Sequence, residues 1–393
     1  MRLIKKVIFL FALGIVLSGF SQQAPLLSSK AQISVITCGP GKDLYSTFGH
    51  SAFRVQDSAQ GIDVVYNYGT FDFNTPNFYL KFARGKLLYK LSRQRMDRFL
   101  FTYEMENRWV KEQLLDLNAL QKNQLLSFLE NNYLPENRAY KYDFFYDNCS
   151  TKMQDVLDEV FKGQLTLNTD HLKERYTFRE LIHQHLITNS WSSFGIDLAL
   201  GSVIDKEATA KEHMFLPNYV LRQLNYTSLD QKPLVQRERT ILDKKPLKND
   251  PYFLTGPLFW LLLLMLFVIV ITYIDFKNET RSRWLDFFLF FSTGLIGLLI
   301  FFLWFLTDHT ATAGNFNILW AFPLNLIMVF YLFRDKPLPP WIPKYLLAAL
   351  GLLFLLIILW LVKVQIFSPI LIPILIMLSL RYAFLFLKFK VPK

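Results

Sequence analysis

The distribution of apolar residues divides the chain into two parts near residue 252. Residues 252–274 carry no charged side chain and, as a helix, are long enough to cross about 30 Å of hydrocarbon. Comparable apolar runs follow at 286–306, 316–333, 345–362 and 366–387. This pattern predicts an all-α bundle of five transmembrane helices over residues 252–393.

The first residues have the pattern of a secretory signal. A basic start, MRLIKK, precedes the apolar run VIFLFALGIVL, and small residues follow in SGFSQQ. We expect a signal peptide at residues 1–21, and the alternative is an uncleaved N-terminal anchor. In both cases the region up to residue 251 lies outside the cytoplasm.

In this exported region, short runs of β-branched and aromatic residues between turns predict strands near its start. AQISVITCG (31–39) is rich in β-branched residues, and it ends at a Gly-Pro-Gly turn. HSAFRV (50–55) and IDVVYNYG (62–69) flank a polar turn, which is typical of a β-hairpin.

Helices are expected later in the same region. Segments 100–132 and 149–162 have helical character, and the second carries an apolar stripe at spacings of three and four. The polar, proline-containing residues 233–251 are expected to link the domain to the first membrane helix. The sequence therefore predicts an α+β domain over residues 22–232.

Composition and charge agree with a membrane protein that carries a polar domain. The chain is 52% hydrophobic and 19% charged, with a net charge of +11. Lys and Arg concentrate in alternating loops, at 277–283 and 334–344 and in the tail 388–393, whereas DHTATAGNFN (308–317) has none. The positive-inside rule then places the large domain on the periplasmic side of the inner (cytoplasmic) membrane. Because most of the basicity follows topology, we expect no nucleic-acid partner.

One basic cluster lies outside these loops. KFARGKLLYKLSRQRMDR (81–98) contains seven Lys/Arg and one Asp. We favour a solvated helix face for this cluster, and the alternative is contact with anionic lipid headgroups.

The chain has two cysteines, and Cys149 lies in the polar stretch YDNCST at the start of a predicted helix. With Asp147 or Asn148 as the N-cap, the helix dipole and free backbone N–H groups favour a thiolate and offer sites for an oxyanion. Asn148 and Ser150 are thus candidates for local support of a nucleophile. Two alternatives are a disulfide with Cys38, which suits an extracytoplasmic compartment, and a buried inert thiol.

A nucleophilic thiol needs a base, and His50 is the best candidate because it opens a strand directly after a glycine. If the hairpin turn centres near Ser58–Ala59, Asn67 lies opposite His50 and orients the imidazole, while Asp63 lies opposite Arg54 as its salt-bridge partner and is a further candidate for local support of the site. A slip of two residues would exchange these roles. The sequence has no HExxH, paired CxxC or GxSxG motif, and we expect no metal or cofactor.

These segments together resemble the Lnb-type lipoprotein N-acyltransferases of Bacteroidota. The likeness lies in TCGPG, YSTFGHSAFRV, DVVYNYGTFDF and YDNCST followed by five spans, and it includes the loop HTATAGNFNILW (309–320). An early strand His and a later Cys at a helix start are also similar to the permuted papain-like fold of lecithin:retinol acyltransferase. The resemblance implies that fold for the exported domain.

The resemblance also implies an acyl transfer in two steps. Cys149 would attack a phospholipid ester and hold the acyl chain as a thioester, and His50 would move the protons. The acceptor would be the α-amine of the diacylglyceryl-cysteine of an apolipoprotein.

The second outer loop contains further polar groups at the membrane edge. Asp308, His309, Asn315 and Asn317 belong either to a hydrated turn or to a surface that touches a lipid headgroup or the acceptor. For the whole protein, two other functions remain open: a membrane-tethered thiol hydrolase of peptide or cell-wall amides, and a non-enzymatic receptor with a Cys38–Cys149 disulfide.

Overall fold

The chain forms an exported α+β domain and a helical membrane domain. The computed structural model describes residues 26–245, 253–334 and 339–390, so the predicted signal peptide at 1–21 lies outside the described residues. The strands of the exported domain are β1 Gln32–Cys38, β2 His50–Asp57, β3 Ile62–Thr70, β4 Leu88–Arg95, β5 Val110–Leu115, β6 Ala139–Lys141, β7 Leu165–Leu167, β8 Thr227–Leu229, β9 Lys232–Pro233 and β10 Val235–Leu242.

Seven of these strands form one antiparallel sheet in the order β10-β5-β1-β2-β3-β4-β6, and β7, β8 and β9 form a small second sheet. The predicted strand at 31–39 and the predicted hairpin are confirmed as β1, β2 and β3. The hairpin register is shifted by two residues from the predicted one, because Arg54 pairs with Val65. Asp57 starts the turn by accepting the N–H of Ala59 at 3.0 Å, and Gly61 ends it at φ +66°. These two residues move the turn centre one position along the chain.

The helices of the exported domain are α1 Phe78–Ala83, α2 Met96–Met105, α3 Ala119–Tyr133, α4 Thr151–Val160, α5 Phe178–His183, α6 Trp191–Ala199 and α7 Pro217–Leu224. The predicted helix at 149–162 corresponds to α4. The prediction of continuous helix over 100–132 is wrong, because β5 interrupts it. Asn107 ends α2 with a left-handed φ of 51°, and Asn118 caps α3 through a reciprocal pair of hydrogen bonds with Gln121.

Helices cover both faces of the large sheet. One face packs under α3 and α4, in a core that includes Val35, Phe53, Leu125, Met153 and Leu157. The other face packs under α2, in a core that includes Ile36, Ala52, Val65 and Phe99. Since both faces are covered, the loops at the strand ends are where the sheet can offer side chains to a substrate.

The predicted linker at 233–251 is wrong over residues 235–242, which form β10 on the edge of the sheet. Its polar side chains find partners on β5: Glu238 pairs with Lys111 at 3.1 Å, and Arg239 pairs with Glu112. Leu242 of β10 lies opposite Val110, Val110 opposite Cys38, and Cys38 opposite His50. The chain therefore leaves for the membrane domain from the end of the sheet where β1 ends and β2 begins. We call this the membrane end of the sheet.

The helices of the membrane domain are α8 Pro257–Lys277, α9 Arg283–Phe305, α10 Asn325–Phe333, α11 Ile342–Leu361 and α12 Ile372–Lys390. Within the described ranges, four helical segments are long and apolar enough to cross a membrane: 257–277, 283–305, 342–361 and 369–389. The predicted span at 316–333 is not a continuous helix. Its helical part, α10, has nine residues and a length of about 14 Å.

The rest of that predicted span is irregular backbone packed against α9. A Cβ at Gly297 would lie 1.8 Å from the carbonyl oxygen of Ala321 in this backbone, and one at Gly294 would lie 2.7 Å from the backbone nitrogen of Leu326 in the first turn of α10. Pro323 lacks an N–H for a helical hydrogen bond. Non-helical backbone at this depth is stable where it is buried against protein, as at Trp320 and Ala321.

The two ends of the bundle differ in what they contact. At one end, the ammonium of Lys388 donates to the carbonyls of Glu279 and Thr280, each at 2.7 Å, and Arg281 donates to the carbonyl of Leu332 at 2.7 Å. The loop at 308–317 lies at the other end and contacts the exported domain. The basic loops therefore share one end of the bundle, as the charge pattern predicts.

Candidate active site

Cys149 lies in a tight turn, two residues before the first helical residue of α4. The side-chain oxygen of Asn148 accepts the backbone N–H groups of Ser150 and Thr151, at 2.7 and 2.9 Å. Its amide nitrogen donates to the carbonyls of Phe144 and Phe215, at 2.7 and 2.8 Å. Asn148 therefore fixes the turn that leads into α4, but the N-cap position is Ser150 instead of the expected Asp147 or Asn148. Because Asn148 uses the N–H groups of Ser150 and Thr151, neither is free to bind an oxyanion.

His50 begins β2, and its imidazole Nε2 lies 2.5 Å from the side-chain oxygen of Asn67 on β3. Continuing the observed register places Asn67 opposite Ala52 instead of His50. Diagonal neighbours on one face of a sheet are still within side-chain reach. The predicted contact between His50 and Asn67 is therefore present although the pairing behind it is wrong. Since Asn67 occupies Nε2, Nδ1 is the ring nitrogen left for another partner.

The hydroxyl oxygens of Ser51 and Ser150, the residues that follow His50 and Cys149, lie 3.4 Å apart, so the turn of Cys149 packs against the start of β2. At this distance His50 and Cys149 shift each other's pKa. Burial raises the pKa of Cys149, but the charge and hydrogen bond of His50, the backbone N–H of Ser51 and the hydroxyl of Ser150 outweigh it and hold this pKa below its ordinary value. Burial lowers the pKa of His50, but Cys149 and Asn67 outweigh burial and raise it. Both shifts favour a thiolate–imidazolium pair, the reactive form of such a thiol.

The two glycines beside this pair allow close approach of the backbone. Gly49 has φ +88°, and a Cβ there would stand 2.7 Å from the carbonyl oxygen of Cys38. Gly69 has φ +84°, and a Cβ there would lie 3.5 Å from the Cβ of Cys149. A side chain at either position would strain the backbone and crowd the site.

Cys38 lies opposite His50 in the sheet but does not share its chemistry. Both cysteines are free, so the structure contains no Cys38–Cys149 disulfide. Cys38 is fully buried, and burial raises the pKa of its thiol to about 12. The two thiols are thus distinguishable by reactivity.

We expect iodoacetamide to alkylate Cys149, to spare Cys38, and to remain effective at a lower pH than with an ordinary thiol. The thiolate is the reacting species, so its rate falls only as pH drops through the lowered pKa of Cys149. Mass spectrometry of the two cysteine peptides over a pH series measures both rates.

Asn67→Ala tests the amide's part in this shift. The variant loses a hydrogen bond that raises the pKa of His50, so the imidazolium forms less readily and the alkylation profile should move to higher pH. Asn131→Ala, an exposed change on α3, is the matched control. Identical profiles for all three proteins would show that Asn67 does not tune the pair.

Tyr140 is a neighbour of the thiol that the sequence analysis missed. Its hydroxyl lies 3.9 Å from the point where a Cβ on Gly69 would stand, the same point that is 3.5 Å from the Cβ of Cys149. The hydroxyl is buried and has no hydrogen-bond partner within the described part of the chain. Burial and the charge of Cys149 raise the pKa of Tyr140, so the hydroxyl stays protonated and can donate. Its place on the short edge strand β6 gave no signal in the sequence.

Of the other two residues predicted to support the site, one lies beside Cys149 and the other does not. Ser150 lies at the site, with its hydroxyl oxygen 3.9 Å from the sulfur of Cys149. Asp63 does not, because it forms a two-point ion pair with Arg54 at 2.7 Å, four residues before Asn67 on β3. Four residues of strand span about 13 Å. Asp63 is thus the predicted partner of Arg54, but it gives the thiol no direct support.

The outer loop binds the exported domain. The amide of Asn315 donates to the carbonyls of Leu198 and Ala199, at 2.8 and 3.1 Å, and that of Asn317 donates to the carbonyl of Asp197 at 3.1 Å. Both asparagines are buried, which corrects the expectation that they touch lipid or acceptor. Their burial is explained by the otherwise unpaired carbonyls at the end of α6.

His309 differs from the two asparagines because it is only half-buried. Its Nε2 lies 3.1 Å from the carbonyl oxygen of Phe82 in α1. Asp308 beside it pairs with Lys141 at 2.9 Å. A lipid or acceptor contact for His309 stays a prediction.

Comparison with known protein families gives a match for each part of the chain. Residues 23–184 match the Lnb N-terminal periplasmic domain, and residues 248–391 match the Lnb transmembrane domain. The chain belongs to the Lnb family. Searches of curated proteins and of solved structures gave no match.

Membership of the Lnb family confirms the resemblance seen in the sequence. It indicates a membrane-anchored protein with a periplasmic domain, and it suggests an acyltransferase that acts on lipoproteins. His50, Asn67 and Cys149 all lie within the match to the Lnb periplasmic domain. A permuted papain-like fold stays a prediction.

Proposed function

We propose that this Lnb protein transfers a fatty acyl chain from a phospholipid to the α-amine of a diacylglyceryl apolipoprotein, through a thioester on Cys149, at the periplasmic face of the inner membrane. The observation that carries this proposal is the approach of the Cys149 turn to His50 at the membrane end of the sheet, where each of the two groups favours the charged form of the other. Donor and acceptor are both held in the membrane by their own acyl chains. A thiol at this surface reaches both of them without extracting either.

In the first step, the thiolate of Cys149 attacks the ester carbonyl of the phospholipid. The C–S bond forms, the C–O bond breaks, and the imidazolium of His50 gives its proton to the departing alkoxide of the lysophospholipid. The products are the acyl-enzyme and a neutral imidazole.

In the second step, the amine of the acceptor attacks the thioester. The C–N bond forms and the C–S bond breaks, and the imidazole takes the proton that the amine loses. This restores the thiolate–imidazolium pair. No water takes part in either step, so exclusion of water from the site preserves the thioester for the amine.

Two neighbours have distinct parts in these steps. Asn67 keeps the imidazole oriented by accepting a hydrogen bond from Nε2, which directs Nδ1 to the sulfur. The hydroxyl of Tyr140 is the donor that we assign to the oxyanion of each tetrahedral intermediate, because it is buried, protonated and near the thiol.

Trapping of the acyl-enzyme tests the proposal. The purified protein is incubated with phospholipid vesicles and no acceptor, and the Cys149 peptide is analysed by mass spectrometry. We expect a fatty acyl adduct that hydroxylamine removes and that a diacylglyceryl lipopeptide with a free amine also discharges. An absent adduct, or a cell-wall fragment on Cys149 after incubation with peptidoglycan, would favour the thiol hydrolase instead.

A further inference from the structure

We propose that residues 71–89, which include α1, form a lip that enters the outer leaflet and holds the acyl chain of the donor phospholipid beside Cys149. We call this segment the aromatic lip. This inference rests on the proposed function and adds to it the surface that binds the donor.

The aromatic lip carries large apolar side chains that are exposed instead of packed in the core of the domain. The exposed fraction is 68% for Phe73, 79% for Tyr79, 57% for Leu80, 52% for Phe82 and 59% for Leu88. A cluster of this kind on one short segment is costly in water, whereas it is typical of segments that lie in a membrane interface.

The segment is fastened to the outer end of a membrane helix. The backbone N–H of Asp308 donates to the carbonyl of Arg84 at 2.9 Å, and the imidazole of His309 lies 3.1 Å from the carbonyl oxygen of Phe82. Asp308 follows the last residue of α9, Phe305, by three positions. The aromatic lip is therefore at the height where α9 leaves the bilayer on the periplasmic side.

Charge on the same segment suits a phospholipid. Lys81, Arg84 and Lys86 alternate with the exposed apolar residues. Long basic side chains can place their charge at the phosphate level while their stems lie along apolar surface. The predicted solvated helix over 81–98 is wrong, since β4 occupies its centre; its first residues belong to the aromatic lip.

A continuous row of rings leads from the aromatic lip to the thiol. The ring of Phe71 lies 5.8 Å from that of Phe78 and 5.4 Å from that of Tyr89, between ring centres. Tyr89 stacks on Tyr142 at 4.2 Å. Asp143 pairs with Asp147 in an antiparallel bridge, which brings Tyr142 beside Asn148, the residue before Cys149. The row therefore gives an acyl chain an apolar path toward Cys149.

The test compares two acyl donors in the full-length protein reconstituted in vesicles. Leu80→Gln and Tyr79→Ser each remove apolar surface from the aromatic lip, and both side chains are more than half exposed. Leu120→Gln is the matched control, because Leu120 is 68% exposed on α3, beyond the opposite end of β5. The long-chain donor is phospholipid, and the short donor is water-soluble p-nitrophenyl acetate.

We expect both variants of the aromatic lip to lose at least about tenfold in acylation of Cys149 by phospholipid while they react normally with p-nitrophenyl acetate. The control should match the wild type with both donors. Equal acylation by phospholipid in all proteins would overturn the proposal. A defect confined to the discharge by lipopeptide would also overturn it, since the surface would then bind the acceptor. No acylation of the wild type by phospholipid would refute the proposed function itself.

Discussion

Cys149→Ala is expected to abolish acyl transfer, with a loss on the order of 10⁴-fold or more, while the protein still folds and inserts. The change removes the sulfur that carries the acyl chain, and no second thiol can replace it, because Cys38 is buried and protonated. The turn should survive, since the hydrogen bonds of Asn148 go to the backbone of Ser150 and Thr151 and not to the thiol. Transfer of a labelled acyl chain to a lipopeptide measures the loss, and thermal unfolding in detergent checks the fold.

Cys38→Ala is the control for this experiment. It removes a buried thiol from the core under α2, so it should lower stability by roughly 1 kcal/mol and leave transfer intact. Residual transfer by Cys149→Ala, or loss of transfer in both variants with the fold preserved, would contradict a single nucleophile at Cys149.

Local patterns predict the candidate pair because each member is indicated by its nearest neighbours in the sequence. The hairpin pattern and Gly49 predict a strand that opens at His50, and the polar residues beside Cys149 predict a helix start. Neither inference needs a distant contact. The sequence alone cannot show that the two groups meet, since that depends on α4 packing against the far face of the sheet.

The elements that the sequence misplaces are those that depend on distant partners. β5 carries the buried Glu112, whose carboxylate is satisfied by Arg54 at 2.9 Å and by Arg239 of β10. A strand with a buried acid, such as β5, and an edge strand of charged residues, such as β10, do not show the alternation of apolar and polar residues that predicts a β-strand. Both become strands because their side chains pair with each other across about 130 positions of sequence.

The predicted third membrane span is only partly helical, for a related reason. Its composition is apolar because it is buried, and buried irregular backbone has the same composition as a lipid-facing helix. Gly297 on α9 leaves room for that backbone and Gly294 leaves room for the start of α10, and no residue within 316–333 indicates where these glycines lie. The loop before it can therefore reach α6 and join the two domains through Asn315 and Asn317.

This joining fixes the exported domain relative to the bundle. The outer loop contacts the exported domain at two places, α6 and α1. Under the proposed function, the lipid substrates would therefore diffuse to a thiol that is held at a fixed position.

His50→Ala is expected to slow the formation of the acyl-enzyme on the order of 10³-fold and to move the alkylation of Cys149 to higher pH. Two effects combine in this variant. The thiol loses the charge and the hydrogen bond that oppose burial, so its pKa rises and less thiolate is present at neutral pH. The leaving alkoxide also loses its proton donor, which slows the step even where the thiolate is present.

The two effects can be separated. Single-turnover acylation is measured for the wild type and for His50→Ala over a pH series. The series extends to a pH at which the Cys149 thiol is ionised in both proteins. The part of the defect that high pH restores belongs to the thiol pKa, and the part that remains belongs to proton transfer. His183→Ala is the matched control, because His183 is a half-exposed histidine bonded to Asp197 on α6. If His50→Ala and His183→Ala form the acyl-enzyme equally fast, His50 is not the base that activates Cys149.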